Sequence, residues 1–117
     1  MSRHNTIGKV ATKVTQNSDS TVVRYHNTNV VTITPTRIIL SHGGYTTMTT
    51  KVRMNQAAQQ FALGYSVFQK YRCFYVRING NDYPFFDRCI EIDRATGQVS
   101  VVSRNNTLTP VTPVIVK

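Results

Sequence analysis

The segment QKYRCFYVRI, Gln69 to Ile78, interleaves cations with aromatic rings: Lys70, Tyr71, Arg72, Phe74, Tyr75 and Arg77. Such side chains bind single-stranded nucleic acid when the cations follow the phosphates and the rings stack on bases, at about 1–3 kcal/mol per base. The same pattern also suits a strand pair whose rings are core and whose cations are solvated. In so small a domain about half of these rings must be core. Arg24 and Tyr25, in an earlier strand-like run, extend the same surface.

A second stretch, SHGGYTTMTTKVRMNQ (Ser41–Gln56), joins a glycine pair to a helix-forming run. A helix N-terminus offers free N–H donors and partial positive charge, so it can hold a phosphate. Lys51 and Arg53 add charge there, and Tyr45 adds a ring. The spacing is neither that of a P-loop, which needs Gly-Lys-Ser/Thr directly after the loop, nor a dinucleotide fingerprint. A flexible turn followed by a threonine cap is the simpler reading of the stretch, and a phosphate or backbone anchor is the alternative. The nucleic-acid reading assigns Arg24, Lys51, Arg53, Lys70, Arg72 and Arg77 to phosphates, and Tyr45, Tyr71 and Tyr75 to stacking.

Other chemistry has weaker support. A nuclease needs clustered carboxylates for metal or a histidine acid/base pair. Acids occur only at Asp19 and from Asp82 onward, outside the basic region. His26 and His42, with Lys51 or Tyr45, are the residues a metal-free nuclease would use. His26, His42, Cys73 and Cys89 are zinc-type ligands without zinc-type spacing. The expectation is a protein that is not an enzyme and carries no cofactor.

The net charge is +9 and uneven: residues 1–81 hold ten Lys/Arg and one acid, while residues 82–117 balance. Such a field attracts polyanions. Nucleic acid is the first expected partner, bound as single strand or by non-specific backbone contact. An acidic protein is the alternative partner, with the chain acting as inhibitor or assembly component. A homo-oligomer is compatible with either. The nucleic-acid reading requires cations distant in sequence to converge into one electropositive groove. Asp87, Glu91 and Asp93 then mark another face or partly neutralise Arg77.

The elements that position these residues follow from periodicity. Branched and aromatic residues are abundant and leucine is scarce, which favours strands. Residues 21–26, 29–33 and 37–41 form a meander, with Pro35 at the second position of a turn. The run from Thr49 to Gly64 is the one convincing helix. Thr49 or Thr50 caps it, Met54, Ala58, Phe61 and Ala62 form its apolar stripe, and Gly64 ends it in left-handed conformation. YSVFQ and CFYVRI form a strand pair, and NGND (79–82) is a hairpin turn because Asn-Gly tolerates positive φ. Residues 83–93 alternate with period two and read as one strand: Phe86, Ile90 and Ile92 against Asp87, Glu91 and Asp93. Residues 94–97 turn, and QVSVVS is a further strand.

The expected fold is α+β: a curved antiparallel sheet of about six to seven strands around one central helix, ordered βββα and then about four strands. Residues 1–20 read as a basic flexible arm containing a short edge strand near residues 9–14. Residues 21–104 read as one domain, and 105–117 as an extended tail whose prolines bar a central strand. No apolar run approaches the ~20 residues of a membrane span, and the polar start lacks a signal-peptide core. The expectation is therefore a cytoplasmic protein without a membrane partner, with Cys73 and Cys89 as reduced thiols near enough for contact.

The combination YHNTNVVTI, IILSHGGYTTMTTKVRMNQ and YSVFQKYRCFYV resembles a pattern in small accessory proteins of tailed bacteriophages and related mobile elements. In those proteins a Tyr-His strand, a Gly-Gly-aromatic turn and a Thr-Thr-Lys-x-Arg-hydrophobic-Asn helix start recur together. The resemblance covers about residues 21–78. It implies a phage accessory protein made in the host cytoplasm, and it supplies no activity and no catalytic residues.

Overall fold

The computed structural model describes residues 12–26, 28–42, 48–70, 73–84, 89–102 and 108–114. Four strands precede the helix: β1 (Thr12–Gln16), β2 (Thr21–Tyr25), β3 (Thr28–Ile33) and β4 (Arg37–Ser41). After α1 (Met48–Gln60) come β5 (Tyr65–Lys70), β6 (Cys73–Ile78), β7 (Asn81–Pro84), β8 (Cys89–Asp93), β9 (Val99–Val102) and β10 (Leu108–Pro110). The fold is α+β, and every strand pair is antiparallel.

The strands divide between two sheets. The larger has seven strands in the order β1-β2-β3-β4-β8-β9-β10, and the smaller has three in the order β5-β6-β7. The expected single strand over 83–93 is corrected accordingly: β7 belongs to the small sheet and β8 to the large one. Pro84, which has no N–H to give a ladder, ends β7. Phe86 and Asp87 lie outside the described residues. The alternation survives in β8, where Ile90 and Ile92 are buried and Asp93 is exposed. The large sheet also reaches into both terminal segments. Within the segment read as an arm, β1 pairs with β2; within the tail, β10 pairs with β9 as an edge strand.

Local chemistry sets the turns. Asn79 and Gly80 sit at φ 52° and 78° between the paired residues Ile78 and Asn81, as a two-residue hairpin turn demands. Pro35 lies in the β3–β4 turn, where the Arg37 N–H donates to Thr34 Oγ1 at 2.9 Å. A bulge in β3 leaves Val30 unpaired between the Val23–Val31 and Arg24–Asn29 pairs, so two successive valines, Val30 and Val31, are both buried.

Two details of α1 differ from expectation. Thr49 and Thr50 lie inside its first turn rather than ahead of it, and Thr50 is buried. At the other end Ala62, at φ 53°, is the left-handed residue. Ala62 N–H donates to Gln59 C=O at 3.4 Å and Leu63 N–H to Ala58 C=O at 2.9 Å. This paired closure ends the helix two residues before Gly64, which is itself left-handed at φ 78°. The buried stripe is consequently Thr50, Arg53, Met54, Ala57 and Ala58, while Ala62 is exposed.

One apolar cluster draws on both sheets and the helix, with Val23, Leu40, Met54, Phe74, Ile90 and Ile92 fully buried. Each such side chain stabilises by roughly 1.5–3 kcal/mol. The helix also ties the two sheets together by polar bonds at their open edges. Asn55 acts as a substitute strand against β5: its Nδ2 donates to Val67 C=O at 2.8 Å, and Val67 N–H donates to its Oδ1 at 2.7 Å. Arg53 Nε donates to Thr12 Oγ1 on β1 at 2.9 Å. The buried Tyr65 hydroxyl donates to Met54 C=O at 2.8 Å, and burial pushes that phenol well above its ordinary pKa. On the far side, Val114 N–H donates to Asp82 C=O at 2.8 Å, so the chain after β10 reaches the β7 edge of the small sheet. Both sheets therefore turn one face inward, and their outer faces point apart.

Candidate nucleic-acid interface

Alternation in β5–β7 sorts their side chains. Tyr65, Val67, Phe74, Val76, Ile78 and Tyr83 are buried. The opposite face carries three cross-strand rows: Ser66 with Arg77, Phe68 with Tyr75, and Lys70 with Cys73. Phe68 and Tyr75 are half-buried and stack at 5.4 Å between centroids with planes 16° apart. The Arg77 guanidinium carbon lies 5.0 Å from the Phe68 centroid, so a cation and two rings form a column on this outer face.

Arg77 does not stand alone. Its Nε and Nη2 donate to the two carboxylate oxygens of Asp82 at 2.7 and 3.2 Å. Asp82 is its direct partner across the β6–β7 hairpin. The hydrogen bond and charge of Asp82 raise the guanidinium pKa further, and the Arg77 hydrogen bond holds the Asp82 carboxyl below its usual range. The acid that partly neutralises Arg77 is thus Asp82. Glu91 instead pairs with Arg37 at 3.2 Å, and Asp93 accepts the N–H groups of Ala95 and Thr96 in the following turn. One edge of the fork, Nε and Nη2, is spent on Asp82, while Nη1 makes no bond among the described residues.

The remaining sequence candidates are dispersed. Arg53 is buried at 8% exposure, bonded to Thr12 and, through Nη1, to Gln56 Oε1 at 3.1 Å; its guanidinium carbon lies 5.7 Å from the Tyr25 centroid. Thr12 and Tyr25 are register partners facing α1, so Lys13 and Arg24, paired with one another at the next position, face away on the outer side of the large sheet. Arg24 Nε donates to His26 C=O at 3.1 Å. Lys51 is half-buried on the first turn of α1. Tyr45, Tyr71 and Arg72 lie outside the described residues.

The described cations therefore do not converge into one groove. Lys70 and Arg77 share one outer face, Lys13 and Arg24 share another, and Arg53 is internal. What the sequence reading missed was Phe68. Its parity with Ser66 and Lys70, against Tyr65 and Val67, was the available signal.

Nuclease and metal candidates are likewise separated by role. His26 takes φ 54° at the β2–β3 turn with its ring 4.3 Å from that of Tyr25; His42 is buried edge-on to Phe74 at 5.8 Å. Cys73 and Cys89 lie on different sheets and are not joined in a disulfide. Among the described residues no three His, Cys, Asp or Glu side chains gather, and no helix is long and apolar enough to cross a membrane.

A family model described as Kyanoviridae Gp96 protein matches residues 1–107. No curated protein matches the chain, and no solved structure does. The chain belongs to the Kyanoviridae Gp96 protein family and is a phage protein.

Proposed function

We propose that this member of the Kyanoviridae Gp96 family is a non-enzymatic binder of single-stranded nucleic acid, acting through the outer face of β5–β7. The observation that carries the reading is the half-exposed Phe68–Tyr75 stack with Arg77 and Lys70 at either end of it. Rows on this face repeat every two strand residues, about 6.7 Å. That is a span comparable to one extended nucleotide. Phosphates meet Lys70 and Nη1 of Arg77, and a base meets the exposed part of Tyr75. Lys51, Tyr45, Tyr71 and Arg72 remain proposed auxiliary contacts. Arg53 is left out, because its charge faces Thr12, Gln56 and the Tyr25 ring rather than solvent.

The test is a filter-binding titration at two salt concentrations with labelled single-stranded DNA, duplex DNA and RNA. Affinity should fall steeply with salt as counterions are released, and Tyr75→Ala should cost about 1–3 kcal/mol of binding. No binding at low salt, or full affinity in Tyr75→Ala, refutes the reading.

A second reading rests on a different surface. β1 is an edge strand with Val14 exposed, and Lys13 and Arg24 lie together on the outer side of its sheet. An acidic partner protein can add a strand there. Nuclease-resistant co-purification of an acidic protein from infected cells, lost on Lys13→Glu, is the outcome that favours it.

A further inference from the structure

At Arg77 the aromatic column runs into a shallow, largely open depression. A cleft of about 540 Å³ opens there, and Arg77, Ser66, Gln59 and Asn79 line it. Ser66 and Arg77 form the last row of the outer face, so the cleft continues the row sequence that begins at Lys70. Its wall on one side is the C-terminal end of α1, at Ala58, Gln59 and Ala62. Its other wall is the hairpin turn at Asn79 and Gly80.

Charge decides what the cleft takes. The C-terminal end of a helix carries roughly half a negative charge, and its last turn repels anions. No basic side chain answers it in the last turn of α1. A phosphate is thus favoured beside Arg77 and disfavoured beside the helix end. The side chains of Ser66, Gln59 and Asn79 have no hydrogen-bonding partner among the described residues. Two of them are amides, each with donors and an acceptor. The interior suits a neutral, planar, hydrogen-bonding group, and one that donates toward the helix end suits it best.

Building on the single-strand reading above, we propose that this cleft is a nucleobase subsite selective for amino-bearing bases. The nucleotide next to the one on Tyr75 places its phosphate at Arg77 and turns its base into the cleft, where Gln59 and Ser66 hold it. An exocyclic amino group donates toward the helix end, whereas a carbonyl at the same ring position presents negative charge to it. Cytosine is preferred over thymine, which carries a carbonyl at that position, an N–H donor at N3 and a methyl at C5.

The experiment compares (dC)8 with (dT)8 on the wild-type chain and on the double variant Gln59→Ala/Ser66→Ala. Both residues are exposed, so the variant should keep its fold, which a thermal melt checks. The expected result is a five-fold or greater preference of the wild type for (dC)8. In the variant both oligomers should lose affinity, (dC)8 by about five-fold or more, because Gln59 and Ser66 hold the base of either. Equal binding of the two oligomers by the wild type, or a variant that binds (dC)8 as tightly as the wild type does, overturns the subsite and leaves the column intact as a binding face. Failure of both oligomers to bind at low salt overturns the single-strand reading and the subsite together.

Discussion

Among the described residues arginine lies over an aromatic ring in two regions, at the junction of α1 with the large sheet and on the outer face of the small one. The ring distances are similar, 5.7 Å for Arg53 on Tyr25 and 5.0 Å for Arg77 on Phe68. The surroundings differ. Arg53 is buried, has a hydroxyl and an amide oxygen as acceptors, and ties a helix to an edge strand. Arg77 keeps 56% of its side chain exposed and faces a carboxylate. A guanidinium over a ring is therefore no sign of a ligand site by itself. What distinguishes the two is whether the remaining donors face solvent, and whether neighbouring rings stay partly open with them.

The largest effect that sharpens this comparison belongs to Arg53. Arg53→Ala should destabilise the fold by about 2–4 kcal/mol, since it leaves a gap and removes charge-assisted bonds to Thr12 and Gln56. Urea denaturation measures the loss. Nucleic-acid affinity of the folded fraction should not change; a stable Arg53→Ala protein that no longer binds would reverse the roles assigned to the two arginines. Arg77→Ala should do the opposite. Its ion pair with Asp82, half exposed on the arginine side, matters less to stability than the buried bonds of Arg53. The slope of log affinity against log salt should shrink by about 1, the signature of one lost phosphate contact.

Smaller, but informative in sign, is Asp82→Asn. The folded-state pKa of Asp82 is depressed, first by the Arg77 hydrogen bond. Its contribution to stability is present above the ordinary carboxylate range and is lost as pH falls through the depressed folded value. Wild-type stability should decline over that acidic window, and the variant should decline less steeply. At neutral pH the variant carries one more net positive charge beside the column, so affinity for single strands should rise a few-fold. Unchanged affinity would show that Asp82 serves to orient Arg77 more than to offset it.

The first meander, the Asn79–Gly80 turn and the pairing of YSVFQ with CFYVRI were legible because each depends on residues close in sequence. The same holds for the face assignment within β6, where period two separates Phe74 and Val76 from Tyr75 and Arg77. The C-terminus of α1 was legible only approximately. A glycine at position 64 marks the neighbourhood, yet the closing hydrogen bonds select Ala62 because Ala58 and Gln59 carry the carbonyls they reach. The split of 83–93 between two sheets was not legible, since alternation reports which face a residue takes and not which strand it pairs with.

By itself, then, the sequence determined the class of fold, the one helix, the basic surplus and the cation–aromatic interleaving of β6. Those properties are set by side-chain type and by spacings of two to four residues. Only the tertiary structure decided that β4 pairs with β8, that Arg53 turns inward, and that Asp82 meets Arg77. It also decided that Phe68 completes the column and that the cations lie on opposed faces. The physical reason is distance along the chain. Pairings between residues tens of positions apart depend on how whole elements bury their apolar faces together, and a charge has no signature in the sequence of the side of the core on which it will emerge.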